Sequence, residues 1–168
     1  MSTSFIGGDS FGFISSGGGG GGGGCNAVII EGCGCNSSVR CGVNNSTLGA
    51  FSGALGGTCN TASGIYSSIV NGRQNTAQAI AGFIGNGNCN FVCNSTSGCL
   101  AYGAVVVGGV GNNTNGGTWS LGNCCFTVAP TAVNAGIYSF VGGGFQNQAT
   151  GVYSTVSGGW ANVATNCN

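Results

Sequence analysis

The stretch I-Y-S-F-V-G-G-G-F-Q-N-Q-A-T-G, Ile137 to Gly151, runs directly into V-Y-S-T-V-S-G-G-W-A-N-V-A-T-N, Val152 to Asn166. The two match in phase over fifteen residues, and I-Y-S-S-I-V-N-G-R-Q-N-T-A-Q-A, Ile65 to Ala79, fits the same frame. In the first copy Ile137, Ser139 and Val141 alternate with Tyr138 and Phe140, the period-two pattern of a strand with one buried face. A Gly pair suited to a tight turn at positive φ follows, and Asn147 and Ala149 resume the alternation. Units repeated at so short a period bury their apolar face only by stacking on one another. The pattern predicts an all-β fold: a parallel β-solenoid, or β-roll, of fifteen-residue coils spaced about 4.8 Å apart. Each coil is expected to hold two short strands and two turns.

The recurring Asn sets the register. Coils fall at Asn45, Asn60, Asn75 and Asn90, at Asn112 after an insertion of seven residues, and again at Asn147 and Asn162. Ahead of the Asn stand the turn glycines Gly57, Gly72, Gly87, Gly109, Gly144 and Gly159; two residues after it come Ala62, Ala77, Ala149 or Ala164. A narrow interior admits only small side chains, which accounts for Ser, Ala, Val and Ile at inward positions. The Asn is expected to point inward and stack on its equivalent in the next coil, its amide bonding along the ladder and to turn backbone. A turn preference of Asn does not by itself fix one position in coil after coil.

In this frame residues 25–168 are the Cys-rich solenoid, with insertions near 91–101 and 117–133. Within the second, W-S-L-G-N-C-C-F-T-V (Trp119 to Val128) reads as a protruding hairpin. Residues 1–24 read as an N-terminal arm joined through the poly-Gly hinge Gly17 to Gly24. Outward positions carry aromatics. Tyr138 and Tyr153 are expected in one column, Phe145 and Trp160 in another, with Tyr66, Phe83 and Phe140 nearby. Exposed aromatic columns mark contact surfaces, here lateral packing against another subunit or stacking on a glycan.

Composition narrows the function classes. Arg40 and Arg73 are the only bases, Asp9 and Glu31 the only acids, and His is absent. No basic stripe exists to hold nucleic acid or anionic lipid, and no apolar run reaches the roughly 18 residues of a membrane span. An uncharged surface favours association, so copies of the chain itself are the expected partners. Enzymatic chemistry is not expected: general acid-base work lacks His, Lys or paired carboxylates, and a Cys nucleophile lacks a His partner. No cofactor is expected, and a phosphate-binding Gly loop lacks its βαβ context.

Eleven cysteines point to an oxidising environment. Cys25, Cys33, Cys35, Cys41, Cys59, Cys89, Cys93, Cys99, Cys124, Cys125 and Cys167 are all disulfide candidates; the odd count leaves at least one thiol free or joined to another molecule. Cys59 and Cys89 share a coil position two rungs apart, about 9–10 Å at the strand spacing, beyond disulfide reach. Cys167 is the candidate for an intermolecular bond. Cys25, Cys33, Cys35 and Cys41 also form a cluster open to a tetrahedral metal, at a spacing that matches no strong zinc pattern. Asn36, Asn44, Asn45, Asn94 and Asn112 open glycosylation sequons. Inward Asn45 and Asn112 are expected to be closed to modification, and Asn94, in the first insertion, is the best acceptor. The start M-S-T-S-F-I-G-G lacks the basic and apolar regions of a secretory signal, so export by another route or assembly into a virion is expected.

The pattern Y-S-x-V-x-G-G-x-x-N-x-A, read over Cys35 to Asn90 and Asn134 to Asn166, resembles the tandem repeats in head domains of trimeric autotransporter adhesins. It is also similar to repeats in fibre and surface proteins of large DNA viruses and phages. The resemblance implies a left-handed parallel β-roll, often trimeric, on an outer surface. The chain departs from the adhesins in its cysteine content, and no coiled-coil stalk, membrane anchor or signal peptide is expected. The expected role is a structural subunit of an extracellular or virion-surface filament, joined by coil stacking, arm exchange and intermolecular disulfides. The alternatives are an adhesin-type head that binds a host glycan or receptor, and an ice-binding protein. The last wants a regular outward Thr array, whereas Ser68, Phe83, Phe140 and Thr155 are mixed.

Overall fold

The computed structural model describes residues 30–39, 42–93 and 101–165, and these form a β-solenoid with no helix among them. One wall is an eight-stranded sheet. From Ser38–Val39 it climbs through Gly53–Ala54, Ser68–Ile69, Phe83–Ile84, Val105–Val106 and Phe140–Val141 to Thr155–Val156, every pair parallel. A second wall stacks Ser46–Thr47, Thr61–Ala62, Thr76–Ala77 and Phe91–Val92, then resumes with Gln148–Ala149 and Val163–Ala164. A third line of single parallel bridges joins Val43, Thr58, Arg73, Asn88, Val110, Phe145 and Trp160. Pairing therefore runs along three lines per coil, one more than the sequence suggests.

The interior holds one small side chain per coil at each inward position. Ala54, Ile69, Ile84, Val106 and Val141 face inward from the first wall, and Ala62, Ala77, Val92 and Ala149 from the second, all fully buried. Above Asn90 the first insertion adds seven residues and the second adds twenty, read from the register steps Ile84↔Val106 and Val106↔Val141 against the fifteen of Ile69↔Ile84. The solenoid resumes its frame after each. Residues 1–24 lie outside the described residues, as do Cys25, Cys41, Cys99, Cys167 and Asn94.

Two departures from expectation concern the chain's path. Ile30–Glu31 pairs antiparallel with Ser38–Val39 and covers the first wall's lower edge. The reversal comes through the Gly32–Ser37 turn, where Gly32 N donates to Ser37 O at 3.0 Å and Asn36 adopts φ +52°. The second departure is the use of left-handed backbone by residues other than glycine. Phe51, Tyr66, Ala81, Tyr138 and Tyr153 hold φ near +55°, as do Cys59, Gln74, Cys89, Gln146 and Ala161 just before the ladder Asn. Each costs about 1–2 kcal/mol in a side-chain-bearing residue. The compensation is a bond to the coil below: Tyr66 N to Ala50 O at 2.9 Å, Tyr153 N to Ile137 O at 2.8 Å, Cys89 N to Arg73 O at 3.0 Å.

Where the chain leaves the solenoid for the second insertion, the side chain of Asn113 takes the place of a peptide group. Its Nδ2 donates down to Phe91 O at 3.1 Å and its Oδ1 accepts from Ala149 N at 3.0 Å. Its own carbonyl meanwhile accepts from Val133 N at 2.8 Å, on the returning strand. This buried amide, together with the backbone bonds Phe91 N to Asn112 O at 3.0 Å and Asn113 N to Asn147 O at 2.7 Å, keeps the second wall bonded across the gap. Asn113→Ala leaves a carbonyl and an N–H without partners, at about 1–3 kcal/mol for an unmade buried bond. Urea denaturation is expected to show a loss of about 2–4 kcal/mol, with faster exchange of the Ala149 amide.

Candidate interaction surfaces

The Asn ladder is continuous. Asn60, Asn75, Asn90, Asn112 and Asn147 are fully buried, Asn45 is half-buried and Asn162 is exposed at the uppermost described coil. Each backbone N–H from Asn60 upward donates to the Oδ1 of the Asn below at 2.9–3.1 Å. From Asn60 upward each Nδ2 closes onto its own turn and, up to Asn147, onto the turn above: Asn75 Nδ2 reaches Asn71 O at 3.3 Å and Gly87 O at 2.9 Å, and Asn147 Nδ2 reaches Gly143 O at 2.8 Å and Gly159 O at 2.7 Å. The turn glycines Gly57, Gly72, Gly87, Gly109, Gly144 and Gly159 all lie at φ between +83° and +105°, packed against this ladder.

The aromatic column is exposed and discontinuous. Phe51 stacks on Tyr66 with ring centres 5.2 Å apart, Ala81 interrupts, and Tyr138 stacks on Tyr153 at 5.4 Å. Tyr102 meets Tyr138 edge-on at 5.6 Å. Tyr66 and Tyr153 are 58% and 68% exposed, and Phe140 is partly exposed in the first wall. Phe51 belongs to this surface by the fifteen-residue frame, since it precedes Tyr66 by one period. Tyr102 sits beside an insertion, where the frame gives no signal.

The second aromatic column is not a stack. Phe145 and Trp160 are bridge partners, but the Phe145 ring packs on Trp119 at 6.0 Å and Phe126 at 6.1 Å. These two rings meet edge-on at 5.1 Å in the hairpin formed by Thr118–Ser120 and Cys125–Val128. A Thr114–Asn115 and Thr131–Ala132 pair closes its base. The hairpin lies down on the solenoid because its two aromatic side chains have an apolar partner there. Phe145 is consequently half-buried and withdrawn from outward contact, leaving Trp160 76% exposed.

The cysteines Cys33, Cys35, Cys59, Cys89, Cys93, Cys124 and Cys125 are free thiols. Cys33 and Cys35 are exposed on the first coil, and the other two members of the candidate metal cluster lie outside the described residues. Among the described residues no three metal-ligating side chains converge. Burial pushes the Cys93 thiol up to about 11. It also raises Cys89, with Arg73 opposing and Cys125 adding to the rise. No helix among the described residues is long and apolar enough to cross a membrane. In comparisons with known proteins, the chain matches no family model, no curated protein and no solved structure.

Proposed function

We propose that this chain is the structural subunit of an extracellular or virion-surface filament, built by stacking one solenoid on the next. The supporting observation is that the donor–acceptor register repeats unchanged from coil to coil. Asn60 N donates to Asn45 Oδ1 at 3.0 Å, and the same bond recurs up to Asn162 N on Asn147 Oδ1 at 2.9 Å. A face that ends in an exposed Asn162 and a face that begins at Asn45 therefore match as neighbouring coils do. Ile30–Glu31 occupies one sheet edge on the lower face, so a joint forms when that strand is displaced. Exchange of the 1–24 arm supplies this step by strand augmentation, and intermolecular disulfides lock it. The near-absence of charge removes the repulsion that keeps edges apart.

A second reading is favoured by the Tyr138–Tyr153 platform, whose flat, exposed rings suit a sugar face in an adhesin-type head. Electron cryomicroscopy of the full chain with and without reductant separates the two. Filaments with a repeat of about 4.8 Å that shorten on reduction are the expected result. Discrete trimers or monomers under both conditions would overturn the filament, and glycan-array binding by those particles would establish the head.

A further inference from the structure

We propose that Cys89 and Cys125 form a disulfide that staples the inserted hairpin to the solenoid wall. The hairpin lies across the coils. Phe126 covers Gly111, where an added Cβ would come within 2.9 Å of its ring, and Cys124 O accepts from Asn88 Nδ2 at 3.2 Å one coil lower. Cys125, between them in sequence, therefore lies over the step from the Asn88 coil to the Gly111 coil. Cys89 and Gly111 hold the same coil position, each immediately before a ladder Asn, so Cys89 lies in the stretch of wall that Cys125 crosses. The influence of Cys125 on the Cys89 thiol is the electrostatic counterpart of this nearness.

The other thiols are less suited. Cys124 Sγ is exposed and turned back on Leu121 O at 3.6 Å within its own turn. Cys59 lies two coils below Cys89, about 9–10 Å away, outside disulfide geometry. Cys93 is buried at the end of the second-wall strand Phe91–Val92. Cys89 Sγ itself contacts Gln74 Oε1 at 3.5 Å, a weak donor contact that a rotamer change gives up at little cost.

The chemistry is thiol–disulfide exchange. Cys125, the more exposed of the two, attacks a small-molecule disulfide such as oxidised glutathione as its thiolate, forming a mixed disulfide and releasing one thiol. Cys89, deprotonated in turn, displaces the second small thiol from Cys125 Sγ. The protein loses two protons and two electrons, and one R–S–S–R becomes two R–SH. The product holds Trp119 and Phe126 on Phe145 covalently, whether the solenoid serves as a filament subunit or alone.

The test is disulfide mapping of the folded full chain after equilibration with oxidised glutathione, capping of remaining thiols with N-ethylmaleimide, and chymotryptic digestion. A reductant-sensitive peptide pair joining Cys89 to the Cys124–Cys125 segment is the expected product. Because one peptide carries both vicinal cysteines, Cys124→Ser must keep the pair and Cys125→Ser must reduce it at least tenfold. Capped Cys89 and Cys125 in the wild-type chain, Cys89 joined elsewhere, or survival of the pair in Cys125→Ser would each overturn the staple.

Discussion

Gly109→Ala is expected to lower stability by about 4 kcal/mol, the sum of a strained backbone (about 1–3 kcal/mol) and overpacking (about 1–3 kcal/mol). Its neighbour Gly108→Ala is expected to stay within about 0.5 kcal/mol of the parent. Gly109 holds φ +87°, and a Cβ there would stand 2.7 Å from both Asn112 Nδ2 and Gly144 N, and closer still to Gly144 O. None of these neighbours can retreat. Two are backbone of the next coil, and the third donates to Asn90 Oδ1 at 3.1 Å and Gly108 O at 2.7 Å. Gly108 meets only Asn86 O, at 3.9 Å, and a Gly→Ala change there trims the freedom of the unfolded chain. For a chain of this length 1 kcal/mol moves the melting temperature by about 2–4 °C, so the two variants should melt roughly 8–16 °C apart. Equal melting temperatures would mean that the coil-to-coil contact has slack that the packing denies.

The same pair shows what the sequence reveals and what it conceals. Glycine at position 109 announces a positive φ because few other residues tolerate it, and its equivalents spaced fifteen residues apart, Gly57, Gly72 and Gly87 and again Gly144 and Gly159, make the turn visible. Tyr66, Cys89 and Gln146 also adopt left-handed backbone, yet nothing in their side chains signals it. Their conformation is imposed by the intercoil bonds of their own N–H groups, which exist only once the coils are stacked. Asn113 is hidden for a related reason. Beside the ladder residue Asn112 it reads as one more turn Asn, and its role as a stand-in peptide depends on a gap that the twenty-residue insertion creates. The hairpin's strands are legible from alternation in Trp119 to Val128. Its docking on Phe145 is not, because that contact joins an insertion outside the repeat frame to a coil within it.

Asn90→Asp, a change of one atom, is expected to give a stability that falls steeply with pH, whereas the wild type stays nearly flat from about pH 4.5 to 7. Asn90 is fully buried. Its Nδ2 faces three oxygens, Asn75 Oδ1 at 3.1 Å, Asn86 O at 3.1 Å and Gly109 O at 2.9 Å. Its Oδ1 accepts from both the N and Nδ2 of Asn112. An aspartate keeps the second set of bonds but turns a bare anionic oxygen toward the first three, with no solvent to screen it. Its folded-state pKa must then rise well above the unfolded value of about 3.9. For a raised pKa the sign is fixed. Below about pH 4 the carboxyl is protonated in both states and donates one bond to the facing oxygens. As pH climbs toward the folded pKa the variant loses about 1.4 kcal/mol per unit, reaching about 4 kcal/mol at pH 7 if the group remains neutral when folded. Urea titrations at several pH values read this directly, since Asp9 and Glu31 are the only native acidic side chains and no His is present to curve the baseline. Asn162→Asp is the matched comparison: the same ladder position, but exposed, so its carboxylate stays hydrated and its pH dependence should be slight. Parallel curves for Asn90→Asp and the wild type would mean that water reaches the ladder. In that case the Asn column would be a solvated seam, and the solenoid's cohesion would rest on its sheet bonds and small apolar residues alone.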